Sequence, residues 1–342
     1  MELREKGFLV VTGPTASGKT AFSTELGKRL AIEVINADVG QFYTPLSIGT
    51  AKPDLASVTV PHHLFNIITE PRSLSAATYR TRAQELVQDI LARGKLPVFV
   101  GGSLFYIRSL FYPPRPESPV NPAILPVHDD DECADDEGIA TDFLWERLNR
   151  IDPARASAIG RNDRYRILRA LAIWRRTGRL PSSCAPVFSP LLSPETGLLR
   201  GCLISLEWER SALYRRIDMR VVQMFAEGLE AEVGGLDAEW RRFLCEKKLI
   251  GYAEIIRAAI SQRGLGELVS VVQQNTRAYA KRQLTFLRAF MRSLRALPEM
   301  TVIDADLTLS GDTLYIEQVI RWAQSWMLER GERYGERGVR DG

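Results

Sequence analysis

Residues 8–20, Phe8-Leu9-Val10-Val11-Thr12-Gly13-Pro14-Thr15-Ala16-Ser17-Gly18-Lys19-Thr20, decide the fold. The first five are apolar or β-branched and read as a short buried strand. Gly13 to Thr20 fit G-x-x-x-x-G-K-T, the pattern of a phosphate-cradling loop. From Lys19 to Leu30, Ala21, Phe22, Leu26 and Leu30 recur close to helical spacing. Strand, loop and helix in that order are the context the pattern requires. Glycines let successive backbone N–H groups converge on an anion, and the start of the helix adds its dipole. Gly13, Thr15, Ala16, Ser17 and Gly18 would supply that cradle. Lys19 adds a mobile positive charge, and the Thr20 hydroxyl is placed to hold Mg²⁺ against the phosphates. The pattern does not say which molecule carries the phosphates or which bond breaks.

Outward from the loop, residues 8–111 read as α/β. Ile32 to Ala37 is a second short strand, with Asp38 and Gln41 just past its end. Leu96 to Val100 is a further parallel strand ending in Gly101-Gly102-Ser103, and Leu104 to Phe111 a short helix. Between them Ala76, Tyr79, Ala83, Leu86, Val87, Ile90 and Leu91 repeat at helical spacing until Gly94, with Ser75 as a possible cap. In such sheets the carboxyl ends of the strands carry the chemistry. His62 and His63 invite a metal reading. With no third ligand nearby in sequence, a structural or substrate-positioning role fits better.

The texture breaks at Pro113. Pro113, Pro114, Pro116, Pro119, Pro122 and Pro126 fall close together, followed by acidic runs at 129–132 and 135–137, which read as a solvated loop. Helical texture resumes near Asp142, with a helix from Asp163 to Trp174. Cys202 to Leu206 returns to the sheet. Helices follow from Leu213 to Leu229, from Lys248 to Ile260 with an early interruption at Gly251, and from Val269 to Leu297. Thr301 to Asp304 is a last strand and Ile316 to Leu328 a last helix. The fold class is therefore α/β: a P-loop parallel-sheet core with an inserted, mostly helical domain. Residues 1–112 and 200–329 make the core and its basic helices, 113–199 the insertion, and 330–342 a tail.

The chain of 342 residues is 45% hydrophobic with a formal charge of +3, ordinary for a globular protein with a real core. Its four cysteines, Cys133, Cys184, Cys202 and Cys245, show no C-x-x-C spacing, which disfavours a structural zinc site and a disulfide scaffold. No signal peptide and no apolar run of membrane length is evident, and a cytoplasmic monomer is expected. The positive charge is gathered rather than spread. Arg277, Lys281 and Arg288 share one helical face with Arg282 and Arg292 beside it, and Arg164, Arg166 and Arg169 form a second cluster. Gathered charge of this kind suits a nucleic-acid backbone. A solvated surface and a small phosphate-bearing substrate stay open on composition alone.

Several stretches together resemble the tRNA dimethylallyltransferase family. They are Gly13–Thr20, Asn36-Ala37-Asp38 with Gln41 and Tyr43, Ile48-Gly49-Thr50-Ala51-Lys52-Pro53, His62-His63-Leu64 and Gly101-Gly102-Ser103. Further ones are Asn162-Asp163 with Arg166 and Arg169-Ala170-Leu171, Arg216-Ile217 with Arg220, Gly251-Tyr252 with Glu254, and Thr276-Arg277 with Tyr279-Ala280-Lys281-Arg282-Gln283. The resemblance covers nearly the whole chain except about 113–142 and the tail.

It implies that the bound phosphates are those of dimethylallyl diphosphate, and that the allyl carbon passes to N6 of adenosine 37 in tRNA with release of pyrophosphate. It implies a flipped adenine entering a channel through the core. Asp38 matches the family's general base. Ser103 matches a threonine near the nucleophile. Lys19, Arg220 and Mg²⁺ on Thr20 would stabilise the leaving group. Asp38, Val39, Gly40, Gln41, Tyr165, Arg166, Arg169, Arg277, Lys281, Arg282 and Arg288 are the expected tRNA contacts. The chain departs from the family at Leu104, where glycine is usual and where the channel would narrow, at Val39-Gly40, and at Phe286 in place of tryptophan. An enzyme acting on free AMP, an ATP-dependent phosphotransferase and a non-catalytic RNA-binding module are the rival readings.

Overall fold

The computed structural model describes residues 6–112, 138–184, 199–261, 264–297 and 300–327. The proline-rich stretch, the acidic runs and the tail lie outside these residues. The chain divides into two compact units, one of 1–74, 78–110 and 191–342, the other of 75–77 and 111–190.

The first unit is built on a six-stranded parallel sheet in the order β3-β2-β4-β1-β5-β6. Its strands are β1 (Lys6–Thr12), β2 (Ile32–Asn36), β3 (His62–His63), β4 (Leu96–Val100), β5 (Leu199–Glu207) and β6 (Met300–Asp306). Every residue of β2 and β4 is buried, as expected of strands covered on both faces. β1 lies in the middle, with Leu9 opposite Val98 of β4 on one side and Cys202 of β5 on the other. The helices that follow the first strands are α1 (Lys19–Gly27), α2 (Ala76–Ala92) and α3 (Leu104–Phe111). Phe22 and Leu26 of α1 pack with Val11, Val98 and Ile204, so the loop between β1 and α1 sits over the sheet's carboxyl edge.

Beside it the ends of β2 and β4 come into backbone contact. Ala37 N–H donates to Val100 O (2.8 Å) and Ser103 N–H to Ala37 O (3.1 Å). A Cβ on Gly101 would stand 2.2 Å from the Ala37 carbonyl, so only glycine permits this approach.

The second unit has a small core of its own. α4 (Thr141–Ile151), α5 (Pro153–Ser157) and α6 (Arg164–Thr177) bury Leu144, Leu148, Ala156, Ile159, Ile167 and Leu171. Asp152 and Asp163 cap α5 and α6 by accepting the N–H groups of Arg155 and Arg166.

After β5 come α7 (Arg210–Ala226), α8 (Leu229–Gly234), α9 (Ala238–Glu246), α10 (Tyr252–Ser261), α11 (Leu265–Leu294) and, after β6, α12 (Leu307–Met327). Several helix starts differ from the sequence reading: α7 begins at Arg210 and α11 at Leu265, each about a turn earlier. Lys248 and Gly251 both have positive φ (51° and 91°), so α10 begins at Tyr252 rather than at Lys248. α12 begins directly after β6, because Tyr315 and Ile316 already pack on the sheet.

His63 is explained by a residue that the period of β2 hides. Glu33 lies inside that strand with its side chain 3% exposed, facing an arginine, a lysine and a histidine. Its carboxylate meets His63 Nε2 (2.7 Å), Arg93 Nη2 (2.7 Å) and Lys95 Nζ (3.0 Å). His62 meets Val60 O through Nδ1 (2.6 Å). Among the described residues no group of three His, Cys, Asp or Glu side chains is placed to hold a metal.

The hydrogen bond from Arg93, helped by those from Lys95 and His63 against the effect of burial, lowers Glu33 from 4.5 to about 2. A depressed carboxylate stabilises the fold above its unfolded value, and that share is lost as pH falls through the folded one. Glu33→Gln should therefore cost about 3 kcal/mol at pH 7. The gap from the wild type should close between pH 4.5 and 2. Urea unfolding across that range checks it; a gap independent of pH would mean that the cluster acts by packing alone.

Candidate active site

The loop after β1 holds its shape through partners for its carbonyls. A loop that turns N–H groups inward turns carbonyl oxygens elsewhere, and each needs a donor. Lys19 Nζ donates to Pro14 O (2.8 Å) and Gly13 O (3.2 Å). Arg216 Nε, from α7, donates to Ala16 O (2.9 Å), and Trp208 Nε1 to Ser17 O (3.0 Å). The Arg216 guanidinium lies 4.2 Å from the centre of the Trp208 ring, so the two donors brace each other. The Ser17 hydroxyl is buried and has no hydrogen-bond partner among the described residues.

Gln283 of α11 ties this loop to the next. Its Oε1 accepts the Thr15 N–H (2.9 Å), and its Nε2 donates to Gly102 O (2.8 Å) and to the Tyr279 phenol. The Gly102 and Gly40 N–H groups in turn donate to the Asp38 carboxylate. Asn36 Oδ1 accepts the Asp38 N–H (2.8 Å), and Ser103 Oγ accepts the Val39 N–H (2.9 Å). Ser103 is thus a buried buttress of the backbone around Asp38 and does not line the cavity.

Lys19, Asp38 and Arg220 form one electrostatic group. Burial raises Asp38 above the ordinary carboxylate value, and the charges of Lys19 and Arg220 oppose that rise. Burial lowers Lys19 to about 8, partly offset by Asp38 and aided by Arg220. Arg220 is lowered chiefly by burial as well. Tyr279 beside them is raised by burial and by the Asp38 charge.

These groups open into one cavity of about 890 Å³. Thr15, Ala16, Gly18, Lys19 and Thr20 line one part, Asp38, Val39, Gly40 and Gln41 another, and Arg220, Tyr279, Arg282 and Gln283 a third. The apolar remainder includes Ile217, Val221, Met224, Leu229 and Val272. An anion cradle, a half-buried carboxylate with raised proton affinity and an apolar wall in one space suit transfer of an apolar group off a phosphate ester. Leu104 is buried in α3 and does not line the cavity.

Of the other expected contacts, Arg282 alone is also in the cavity lining. Arg277 pairs with Asp218 and faces the Tyr214 ring, whereas Lys281, Arg282 and Arg288 are exposed along α11. In the second unit Arg166 pairs with Asp163 (3.3 Å), and Tyr165, 65% exposed, accepts from Arg169 Nη1 (3.2 Å). Gln283, Tyr279, Trp208 and Arg216 had no assigned role from sequence. The one available signal was a glutamine at a buried position of α11, between Ala280 and Leu287.

A family model described as IPP transferase matches residues 41–290. The tRNA dimethylallyltransferase of Geobacter sulfurreducens is 39% identical over 282 residues, covering 82% of this chain and 88% of that one. That of Anoxybacillus flavithermus is 38% identical over 282 residues, covering 82% and 86%. The tRNA delta(2)-isopentenylpyrophosphate transferase structure from Staphylococcus epidermidis superposes with a TM-score of 0.58 at 29% identity, over 94% of this chain and 100% of that one. A eukaryotic dimethylallyltransferase acting on tRNA shares the fold, with a TM-score of 0.77 at 24% identity over 95% and 80%.

With Lys19 held at about 8, its affinity for inorganic pyrophosphate should fall as pH rises past that value. The decline should approach about tenfold per unit on top of the ligand's own titration. Lys19→Arg, always charged, should show the ligand's titration alone. Calorimetry from pH 6.5 to 9.5 compares them; identical profiles would remove Lys19 from the anion's surroundings.

Proposed function

The chain belongs to the IPP transferase family, that of the tRNA dimethylallyltransferases, and is an enzyme that transfers a dimethylallyl or isopentenyl group to an adenosine of tRNA; from that premise we propose that dimethylallyl diphosphate is the donor, N6 of adenosine 37 the acceptor and Asp38 the general base. The observation that carries the residue assignment is the Asp38 carboxylate sharing one cavity with the phosphate loop. None of the described helices is long and apolar enough to cross a membrane.

The exocyclic amine of adenine is a weak nucleophile, because its lone pair is delocalised into the ring. As that lone pair forms the new C–N bond to the allylic carbon, the C–O bond to the diphosphate breaks and its electron pair leaves with pyrophosphate. The amine proton passes to the Asp38 carboxylate, whose raised proton affinity suits the task. Loop N–H groups, Lys19 and Arg220 receive the charge that grows on the leaving oxygens. The apolar wall of Val221, Met224 and Val272 accommodates the isopentenyl chain and keeps water from the reacting carbon.

Family membership implies divalent-metal dependence. The Thr20 hydroxyl, exposed in the first turn of α1 and lining the cavity, is the protein ligand on offer. One hydroxyl without an acidic cluster fits Mg²⁺ arriving with its phosphates, since this ion keeps phosphate and water oxygens as most of its ligands. When bound, it would neutralise charge on the diphosphate. Gln41 at the cavity, the exposed Lys281, Arg282 and Arg288, and Tyr165, Arg166 and Arg169 of the second unit are the proposed tRNA contacts, with Arg277 reachable only by exchange with Asp218.

Label should pass from dimethylallyl diphosphate to tRNA, not to AMP, and none from the γ-phosphate of ATP to either. Strong transfer to AMP, or phosphate transfer, would replace this function. Asp38→Asn should slow single-turnover transfer by roughly 10²–10⁴-fold with little change in the binding of tRNA or of an unreactive diphosphate analogue. Lys19→Ala should impair analogue binding and transfer together. Near-normal turnover in Asp38→Asn would dismiss it as the base; loss of analogue binding would move it to the metal and diphosphate.

A further inference from the structure

On α8, one carboxylate gathers four donors. Glu232, in α8, accepts the N–H groups of Ser47 (2.9 Å) and Ile48 (2.8 Å) on Oε2. On Oε1 it accepts the Gly49 N–H (3.3 Å) and the Tyr252 hydroxyl (2.5 Å). The loop is held against Tyr252 and Leu229 so closely that a Cβ on Gly49 would lie 2.5 Å from the Tyr252 ring.

The fixed loop turns back on itself. Ala51 N–H donates to Ile48 O (3.0 Å), and Lys52 N–H to Ser47 O (3.1 Å). This presents two carbonyls, Thr50 O and Ala51 O, to Gln41 Nε2 at 3.1 and 3.2 Å. Both hydrogens of the Gln41 amide are thereby engaged, which fixes the orientation of the group. Its Oε1 can only accept. Gln41, Gly49, Thr50 and Ala51 all line the cavity.

We propose that Glu232 is a positioning residue for specificity: by anchoring residues 47–49 it holds Gln41 as a hydrogen-bond acceptor, so that Gln41 favours a base bearing an exocyclic amine over one bearing a carbonyl at the same place. This rests on the transfer to tRNA proposed above. An acceptor facing a carbonyl leaves two oxygens opposed without a proton, and such mismatches separate ligands far better than differences of size do. Released from its anchor, the loop would free the Gln41 amide to rotate and donate, and a carbonyl would become acceptable. None of these bonds touches the phosphate loop, so donor binding should not depend on them.

The test uses the full chain, dimethylallyl diphosphate with Mg²⁺, and anticodon stem-loop RNA. Hypoxanthine, with a carbonyl in place of the adenine amine, replaces each adenine flanking the target in turn. The wild type should prefer adenine at the position met by Gln41 by roughly 10-fold or more in kcat/KM. Glu232→Gln keeps the size but turns an N–H group toward N–H donors. It should lose most of that preference while its affinity for an unreactive diphosphate analogue stays within about twofold.

Gln41→Ala should also lose the preference, and Glu232→Gln added to it should change the preference no further, because one residue acts through the other. A merely structural role would produce an additional loss in the double variant. Tyr252→Phe removes one donor and keeps the ring. It should weaken the preference part-way, and it supplies the answer if Glu232→Gln does not fold. A wild type that fails to modify the RNA overturns the transfer and this inference with it. A wild type that transfers and discriminates, beside variants that discriminate equally well or losses that add in the double variant, overturns the inference alone.

Discussion

The amide of Gln283 joins two loops that a parallel sheet would otherwise leave independent. One end takes the Thr15 N–H after β1, and the other donates to the Gly102 carbonyl after β4. A buried amide with its acceptor and donors all engaged has one orientation and a high cost for any other. The Gly102 carbonyl is therefore fixed, and the N–H on the other side of the same residue donates to Asp38. The same residue closes off a loop amide that an anion would otherwise meet, so phosphate contact with Thr15 requires that Gln283 yield. A helix carrying exposed cations outside thus carries, on its inner face, the hydrogen bond that sets both halves of the cavity.

The loop's carbonyls tell the same story from the other side. Lys19 satisfies those nearest the sheet, and Arg216 and Trp208 satisfy those of Ala16 and Ser17. These donors come from the loop's own lysine and from the stretch 208–216, so the cradle's form is held from within the chain. Lys19 is the exception, because it must turn from Pro14 O to meet an anion. Its lowered proton affinity reflects how little solvent it meets there.

Elements set by local pattern were legible from the sequence. The strand, loop and helix around Gly13, the strands ending at Asp38 and Gly101, and the helix that starts at Asp163–Arg164 all follow from neighbours in the chain. Contacts between distant segments were not. Gln283 lies 268 residues from Thr15 and 181 from Gly102, and nothing in its own surroundings names either partner. Glu33 was hidden because a buried strand has no polar period to break, and nothing beside Glu232 in the chain names its partners at Ser47, Ile48 and Gly49. The start of α10 was misjudged because its apolar spacing extends back through Leu249, while two positive φ values at Lys248 and Gly251 interrupt the backbone. Arg277 reads as a free surface cation in the sequence, whereas the fold sets Asp218, on another helix, beside it.

The charges in the cavity also bear on the order of events. Lys19 and Arg220 both act on Asp38, holding its proton affinity below what burial alone would give. A diphosphate in the cradle, on the proposed function, would engage both cations and bring its own negative charge toward the carboxylate. Each change raises the proton affinity of Asp38, since a nearby anion disfavours its charged form and the cations no longer compensate it. The carboxylate would then be a stronger proton acceptor with the donor bound than without it. Too great a rise would protonate Asp38 at neutral pH and silence it, so the N–H groups of Gly102 and Gly40, which favour the ionised form, set the upper bound. Through Gly102 that bound depends on Gln283, which ties the strength of the base to the same amide that shapes the anion's cradle.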